Sequence, residues 1–297
     1  MPVSSYVMAT GPSGDCVVFL GSGGARVVVA KQVRASGGIW FSLAGTEFLV
    51  DPGPGALVRM TGSQHRLDPV RLAGILLSHR HLDHAGDVNN MIEAMTVGGT
   101  RPHGTLFAPA DALEGDDPVV LRYLRTFLDG VVTVQEGGEY VLGSIRFTCP
   151  IRHRHRGETY GFRFRAPGLV VSYIADTAYF PALVDAYRAD IVIMNVVRLK
   201  PSKLDHLHAP EALELIRQMR PKLAIITHFG MTMIRGRPWH VAREMSEQSG
   251  VTVVAASDGR KIDLVQYSDR TGEVGQSEIA GAVVPECTGP ELGSGNT

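Results

Sequence analysis

Cysteine is scarce: Cys16, Cys149 and Cys287 are the only three in 297 residues, an odd number without metal-type spacing. That argues against a disulfide framework and against thiolate-held metal, and the three read as reduced, inert thiols of a cytoplasmic protein. An excess of one charge sign is also missing, with 29 Lys and Arg against 30 Asp and Glu and a formal net charge of −1. Bulk electrostatics therefore announces neither a nucleic acid nor a membrane surface, so any anion must be held by a local site. No uninterrupted apolar run approaches the ~20 residues of a membrane helix. Residues 1–10 lack the basic segment and apolar core of a signal peptide, so the expectation is a cytoplasmic protein with no membrane partner. Tandem repeats and Pro/Ser-rich linkers are absent as well. One domain is expected over residues 1–284, followed by a flexible tail at 285–297.

Short apolar, β-branched runs alternate with helical patterns. Residues 16–20, 39–43, 47–50 and 72–77 read as strands of one sheet, with a helix over 87–95, a short strand at 106–108 and a helix over 118–128. A second group of strands follows at 131–134, 139–141, 144–149, 160–165 and 169–174. Runs 181–188, 210–219 and 238–248 read as helices with Pro near the start. Between them, 191–194, 222–227 and 251–255 are apolar enough for buried strands. The series predicts two packed sheets with helices outside. Gly21-Ser22-Gly23-Gly24 and Gly37-Gly38 lack the full dinucleotide or P-loop pattern and read as tight turns.

The densest chemistry is His79-Arg80-His81-Leu82-Asp83-His84, directly after Gly74-Ile75-Leu76-Leu77-Ser78. Four metal-capable side chains at i, i+2, i+4 and i+5 fit neither one face of a strand nor one face of a helix. They fit a loop leaving a buried strand and aiming at two neighbouring points. Imidazole with carboxylate suits zinc first, and iron, nickel or manganese next. Further candidates sit where other apolar strands end: Asp51 after Phe48-Leu49-Val50, Asp176 after residues 170–175, and His228 after residues 223–227. Their common context predicts one shared rim.

These residues resemble the metallo-β-lactamase fold superfamily, and within it the ribonuclease Z-like phosphodiesterase branch. Phe19-Leu20-Gly21-Ser22-Gly23-Gly24 resembles the opening strand and glycine turn of that branch, and Val50-Asp51-Pro52-Gly53 its acidic second motif. The hexapeptide is the superfamily signature. Thr159-Tyr160-Gly161-Phe162-Arg163-Phe164 with Ala175-Asp176-Thr177 resembles the later strand pair and its bridging aspartate. The resemblance implies an αββα four-layer sandwich of two mixed sheets. It places His79 and His81 on one divalent ion and Asp83 and His84 on a second, with Asp176 bridging and His228 completing the second site. The remaining ligand is His155 or His153, with the branch spacing before the Gly selecting His155. Asp51 corresponds to an acid that orients a ligand imidazole. A His that assists phosphoryl chemistry corresponds to His206 or, alternatively, His208, while His65, His103 and His240 have no such context. The branch often forms dimers, and nothing in the sequence marks an interface.

Two divalent ions, zinc first and manganese or iron next, bring four positive charges. Asp83, Asp176 and an activated hydroxide remove three, leaving a site that welcomes a phosphodiester anion. The resemblance gives Asp83 the nucleophile's proton and His206 the leaving alkoxide. Arg152, Arg154, Arg156, Arg163, Arg165, Arg198, Lys200 and Lys203 add basic surroundings, although alternating Arg on a strand usually marks a solvated face. The expected activity is a dinuclear metal-dependent phosphodiesterase for small cyclic or nucleotide-type substrates. Its rival is a lactone, ester or thioester hydrolase of the same fold. No long Gly/Lys-rich insertion is present to grip tRNA, and Phe229-Gly230-Met231-Thr232-Met233 departs from the ribonuclease Z pattern after the last ligand, which argues against tRNA. A flavodiiron role is disfavoured because His81 stands where that group carries Glu.

Overall fold

The computed structural model describes residues 14–269, so the tail at 285–297 and Cys287 lie outside the described residues. Fourteen strands follow in chain order: β1 (Cys16–Phe19), β2 (Ile39–Leu43), β3 (Thr46–Val50), β4 (Gly74–Leu76), β5 (Thr105–Ala108), β6 (Gly130–Thr133), β7 (Glu139–Leu142), β8 (Ile145–Thr148), β9 (Phe162–Ala166), β10 (Leu169–Ile174), β11 (Ile191–Asn195), β12 (Leu223–Thr227), β13 (Thr252–Ala255) and β14 (Lys261–Asp263). They form two seven-stranded mixed sheets, β14-β1-β2-β3-β4-β5-β6 and β13-β12-β11-β10-β9-β8-β7. Tight turns join the antiparallel strands: β9 and β10 meet at Pro167-Gly168, where Gly168 takes φ +68°, a conformation that costs glycine little.

Alternation along the strands builds three apolar layers. Phe41, Phe48, Phe147, Phe162 and Phe164 point between the sheets. Phe41 and Phe48 stack at 4.9 Å, and the Phe164 ring sits 4.9 Å from Phe48. The intervening Val18, Trp40, Leu49 and Ile75 face outward onto Met91, Ile92 and Met95 of the helix Val88–Met95. On the second sheet Val192, Met194, Ala224 and Ile226 face Leu215 and Ile216 of Ala209–Met219, and Val241 and Met245 of Pro238–Ser249. Each fully buried large side chain contributes about 1.5–3 kcal/mol by removal from water. The result is the expected αββα sandwich. Among the described residues no helix is long and apolar enough to cross a membrane.

Local differences have local causes. The helix expected over 118–128 shrinks to Arg122–Arg125. Val119 and Val120 give their N–H groups to Ala112, and the Arg125 guanidinium clamps the Leu113 and Val120 carbonyls, so tertiary bonds replace helical ones. Likewise 181–188 keeps only Leu183–Ala186, while Arg26–Lys31, Ala56–Thr61 and β14 form without a clear sequence signal.

Both sheets change from antiparallel to parallel pairing, at β3–β4 and at β10–β11. Parallel strands deliver their C-terminal ends to a common edge, where α/β sheets characteristically place ligands. Asp51, Ser78, Asp176, Asn195 and Thr227–His228 lie at those ends.

Candidate metal centre

The hexapeptide divides into two conformations, and that division aims its ligands at two points. His79 leaves β4 fully buried, and His81 is still extended (φ −62°, ψ 143°). In an extended stretch residues i and i+2 share a side, so His79 and His81 face together. Leu82–Ala85 is then a single helical turn rather than an irregular loop, which swings Asp83 and His84 to a second point.

At the first point His81 Nδ1 lies 3.0 Å from His79 Nε2 and 3.1 Å from His155 Nε2. The other ring nitrogens fix the tautomers. Ser78 Oγ–H donates to Asp51 Oδ2 and so accepts from His79 Nδ1–H at 3.0 Å. His155 Nδ1–H donates to the Asp205 carbonyl at 3.0 Å. Both Nε2 atoms therefore present lone pairs to a third ring nitrogen, and a neutral cluster holds at most one proton for them to share. A cation resolves this repulsion. Nitrogens about 2.0–2.1 Å from a tetrahedral zinc stand about 3.3–3.4 Å apart, so the three positions fit. Burial, then the charge of neighbouring imidazoles, holds His79 well below the ordinary imidazole value and lowers His81 as well, leaving both ready as neutral ligands.

The second point is bounded by Asp83, His84 and His228, whose ligand atoms lie within 4.8 Å of one another. His84 Nδ1–H donates to Asp51 Oδ2 at 2.9 Å. Its Nε2, like that of His228, is buried without a hydrogen-bond partner, a costly state unless a ligand completes it. Asp176 lies between the points: Oδ2 is 3.4 Å from His84 Nε2 and 4.0 Å from His155 Nε2, while Oδ1 is 3.4 Å from His228 Nε2. Burial pushes the Asp176 carboxyl up, but the charges of His228 and His84 outweigh it and hold the group well below the carboxylate range. Asp83 is lowered in the same sense, burial again being overcome by His84 and His228. His79, His81, Asp83, His84, His155, Asp176 and His228 are thus brought together, and the donor set suits one or two borderline divalent ions.

The structure separates the paired histidines. His153 is buried with Nδ1–H on the Asp176 carbonyl at 3.2 Å and Nε2 on the Tyr187 hydroxyl at 2.8 Å, so neither nitrogen is available to an ion. Burial lowers its pKa to about 4. His208 caps Ala209–Met219 in a capping box with Glu211, a helix-stabilising role. His206 instead reaches the centre, with Nε2 3.2 Å from Asp176 Oδ2 and a side chain 18% exposed. His65 lies against the Gly259 carbonyl, away from the cluster.

Several contributors carried no sequence signal. Asn195 donates from Nδ2 to Asp176 Oδ1 at 2.9 Å and to the Tyr173 hydroxyl at 3.2 Å, and that hydroxyl donates to Asp51 Oδ2 at 2.9 Å. Asp51 also accepts from the Ser78 N–H, so one buried chain ties the Asp176 and Asp51 carboxylates together. Three of the basic residues lie apart from the centre: Arg163 and Arg165 are in register with Ser172 and Val170, Arg163 Nε donating to the Arg188 carbonyl at 3.1 Å, and Arg154 stacks on Phe180.

The comparisons agree with this geometry. A family model described as the beta-lactamase superfamily domain matches residues 46–229. An uncharacterized protein from Methanocaldococcus jannaschii is 31% identical over 258 residues, covering 84% of this chain and 95% of its own. Among solved structures, the metallo-β-lactamase fold protein YhfI from Bacillus subtilis superposes with a TM-score of 0.69 at 20% identity, covering 84% of this chain and 98% of that one. Human tRNase Z, short form, gives 0.60 at 18% identity, with 84% and 98% covered. With its signature hexapeptide and strand-end ligands all inside the matched region, and with its paired mixed sheets, the chain belongs to the β-lactamase superfamily and has the metallo-β-lactamase fold of metal-dependent hydrolases.

Proposed function

We propose that this chain is a dinuclear metal-dependent phosphodiesterase acting on a small cyclic or nucleotide-type phosphodiester. His79, His81 and His155 would hold one divalent ion and Asp83, His84 and His228 the other, with Asp176 available to both; zinc suits the donor set best. Such ions, when bound, would lower the pKa of water enough to give a hydroxide nucleophile near neutral pH. Asp83, at the second position, would accept the nucleophile's remaining proton as its oxygen bonds to phosphorus.

The observation that carries the phosphate reading is His206. Seven residues already surround the two positions, and His206 adds an imidazole at the partly open side. In the metal-free protein burial lowers its proton affinity, but the bond to Asp176 and the charges of Asp176 and Asp205 raise it above the ordinary value. That matters because the formal charge changes once Asp51 is found against His84: two divalent ions, Asp51, Asp83, Asp176 and a hydroxide sum to zero. His206 Nε2 stands 3.2 Å from Asp176 Oδ2, so a proton carried there would face the substrate as a positive charge, while Asp205 at 35% exposure is screened by solvent. A phosphodiester develops charge on its non-bridging oxygens and on the leaving alkoxide, and an imidazolium answers both.

The test compares kcat/KM of zinc- or manganese-loaded protein on bis(4-nitrophenyl) phosphate and 4-nitrophenyl acetate. The diester is expected to be preferred, with His206→Ala costing about 100-fold or more and His208→Ala only a few-fold. Preference for the ester with His206 dispensable overturns the proposal and moves the chain to the lactone, ester and thioester hydrolases.

A further inference from the structure

Gly21-Ser22-Gly23-Gly24 reads in sequence as a tight turn, and together with Ala25 it stands against the second cation position. Three observations place it there. First, the Ala25 N–H donates to Asp83 Oδ2 at 3.2 Å, fixing the rotation of a carboxylate that is otherwise 20% exposed. Second, a Cβ on Gly24 would come within 2.3 Å of Cγ, Cδ2 and Cε1 of His228; only a glycine lets this backbone lie on the imidazole face. Third, a chamber of about 20 Å³ is lined by Gly21, Gly23, Asp83, His84, Asn195 and His228, among others, room for one ion or one water.

The turn is held from outside the centre. The Ser22 N–H and hydroxyl both donate to Asp258 Oδ1, at 2.9 and 2.7 Å, and Arg34 Nη1 donates to Ser22 Oγ at 2.8 Å. The Gly24 N–H reaches the Phe229 carbonyl and the Phe229 N–H reaches the Ser22 carbonyl, locking the turn to the residue after His228. Ala25 sits at φ 64°, ψ 155°, a conformation costly for a residue with a Cβ and kept only where its surroundings impose it.

We propose that residues 21–25 are a positioning element for the second cation: the turn walls that chamber, orients Asp83 through the Ala25 amide and presses on His228, and so sets the affinity of that position independently of the first. This rests on the dinuclear reading above. None of the three observations involves His79, His81 or His155, so the two positions are separable by mutation.

The experiment titrates metal-free protein with Zn²⁺ against a chromophoric chelator and with Co²⁺ followed by its visible spectrum, for wild type, Gly24→Ala and Ser22→Ala. Wild type is expected to take up two equivalents. In Gly24→Ala the second equivalent weakens at least tenfold with an altered Co²⁺ band, while the first stays within twofold. Ser22→Ala, which only loosens the anchor, shifts the second equivalent in the same direction and decides the matter should Gly24→Ala fail to fold. Unchanged binding of both equivalents, or equal weakening of both, overturns the proposal while leaving the dinuclear reading in place. A wild type that binds a single cation overturns both.

Discussion

Replacing Asp51 by Asn removes one oxygen from a carboxylate that is 4% exposed and receives four donors. Oδ1 accepts the Ser78 N–H at 2.7 Å, and Oδ2 accepts the Ser78 hydroxyl at 2.7 Å, the Tyr173 hydroxyl at 2.9 Å and His84 Nδ1–H at 2.9 Å. The backbone is not the issue, because Asp51 has φ +53° and Asn tolerates that region as well as Asp does. An amide at the Oδ2 position would donate where three donors point. The hydroxyls can rotate; the imidazole cannot. In that orientation His84 must accept at Nδ1 and carry its proton on Nε2, the atom 3.4 Å from Asp176 Oδ2, which no longer offers a lone pair to an ion; in the flipped one the NH2 meets the Ser78 N–H, a backbone donor that cannot turn away. Three bonds to a charged acceptor, each contributing about 1.5–3 kcal/mol, are partly replaced by amide bonds, so a net loss of about 3 kcal/mol in the metal-free fold is expected. Cation affinity at the second position should fall about 10–100-fold, as it does when the partner of a ligand imidazole is removed. Urea unfolding of metal-free protein and zinc competition against a chelator measure the two effects separately. A destabilised variant that binds both equivalents as wild type does would refute the tautomer argument, leaving Asp51 a purely structural residue.

Cation binding should also be linked to protons. Burial lowers His84, but Asp176, Asp51 and Asp83 outweigh it and hold the metal-free group well above its ordinary value. That raised value stabilises the metal-free fold fully below about pH 6.5 and less as pH rises through the folded pKa. An ion at Nε2 displaces that proton, so zinc uptake at pH 7 should release about one proton from this residue and tighten with pH; calorimetric heats that are identical in buffers of different ionisation enthalpy would contradict it. His153 has the opposite sign. Its pKa near 4 means the unfolded chain takes up a proton that the fold refuses, so stability is intact above about pH 6.5 and falls by about 3 kcal/mol as pH drops to 4. His153→Gln should flatten that part of the pH–stability curve relative to wild type, and an unchanged slope would show that the buried imidazole is not its source.

The fold and the rim of the centre were legible because both depend on local pattern. A ligand that ends an apolar run is carried by a strand, and strands of one parallel group share an edge, so Asp51, His79, Asp176 and His228 could be placed together without knowing the sheet order. What stayed hidden depends on partners far along the chain. His153 and His155 look alike in sequence; one meets Tyr187 and the Asp176 carbonyl, the other meets His81, 74 positions away. Tyr173 reads as an ordinary member of a buried strand and Asn195 falls just past the end of another, since nothing local says that their hydroxyl and amide will face each other. The same blindness distorted the charge count. Asp51 was recognisable as a supporting acid, but only its contact with His84 makes it part of the electrostatic unit and cancels the positive charge counted from Asp83 and Asp176 alone. Because Asn195 and Tyr173 then join Asp51 to Asp176 by hydrogen bonds, the two carboxylates on either side of His84 cannot reorient independently. A change in the position of one is transmitted to the other through neutral groups. The centre is therefore better understood as a buried chain of acceptors and donors that holds imidazole lone pairs in place than as a list of ligands, and it is the chain, not the list, that sequence pattern could not supply.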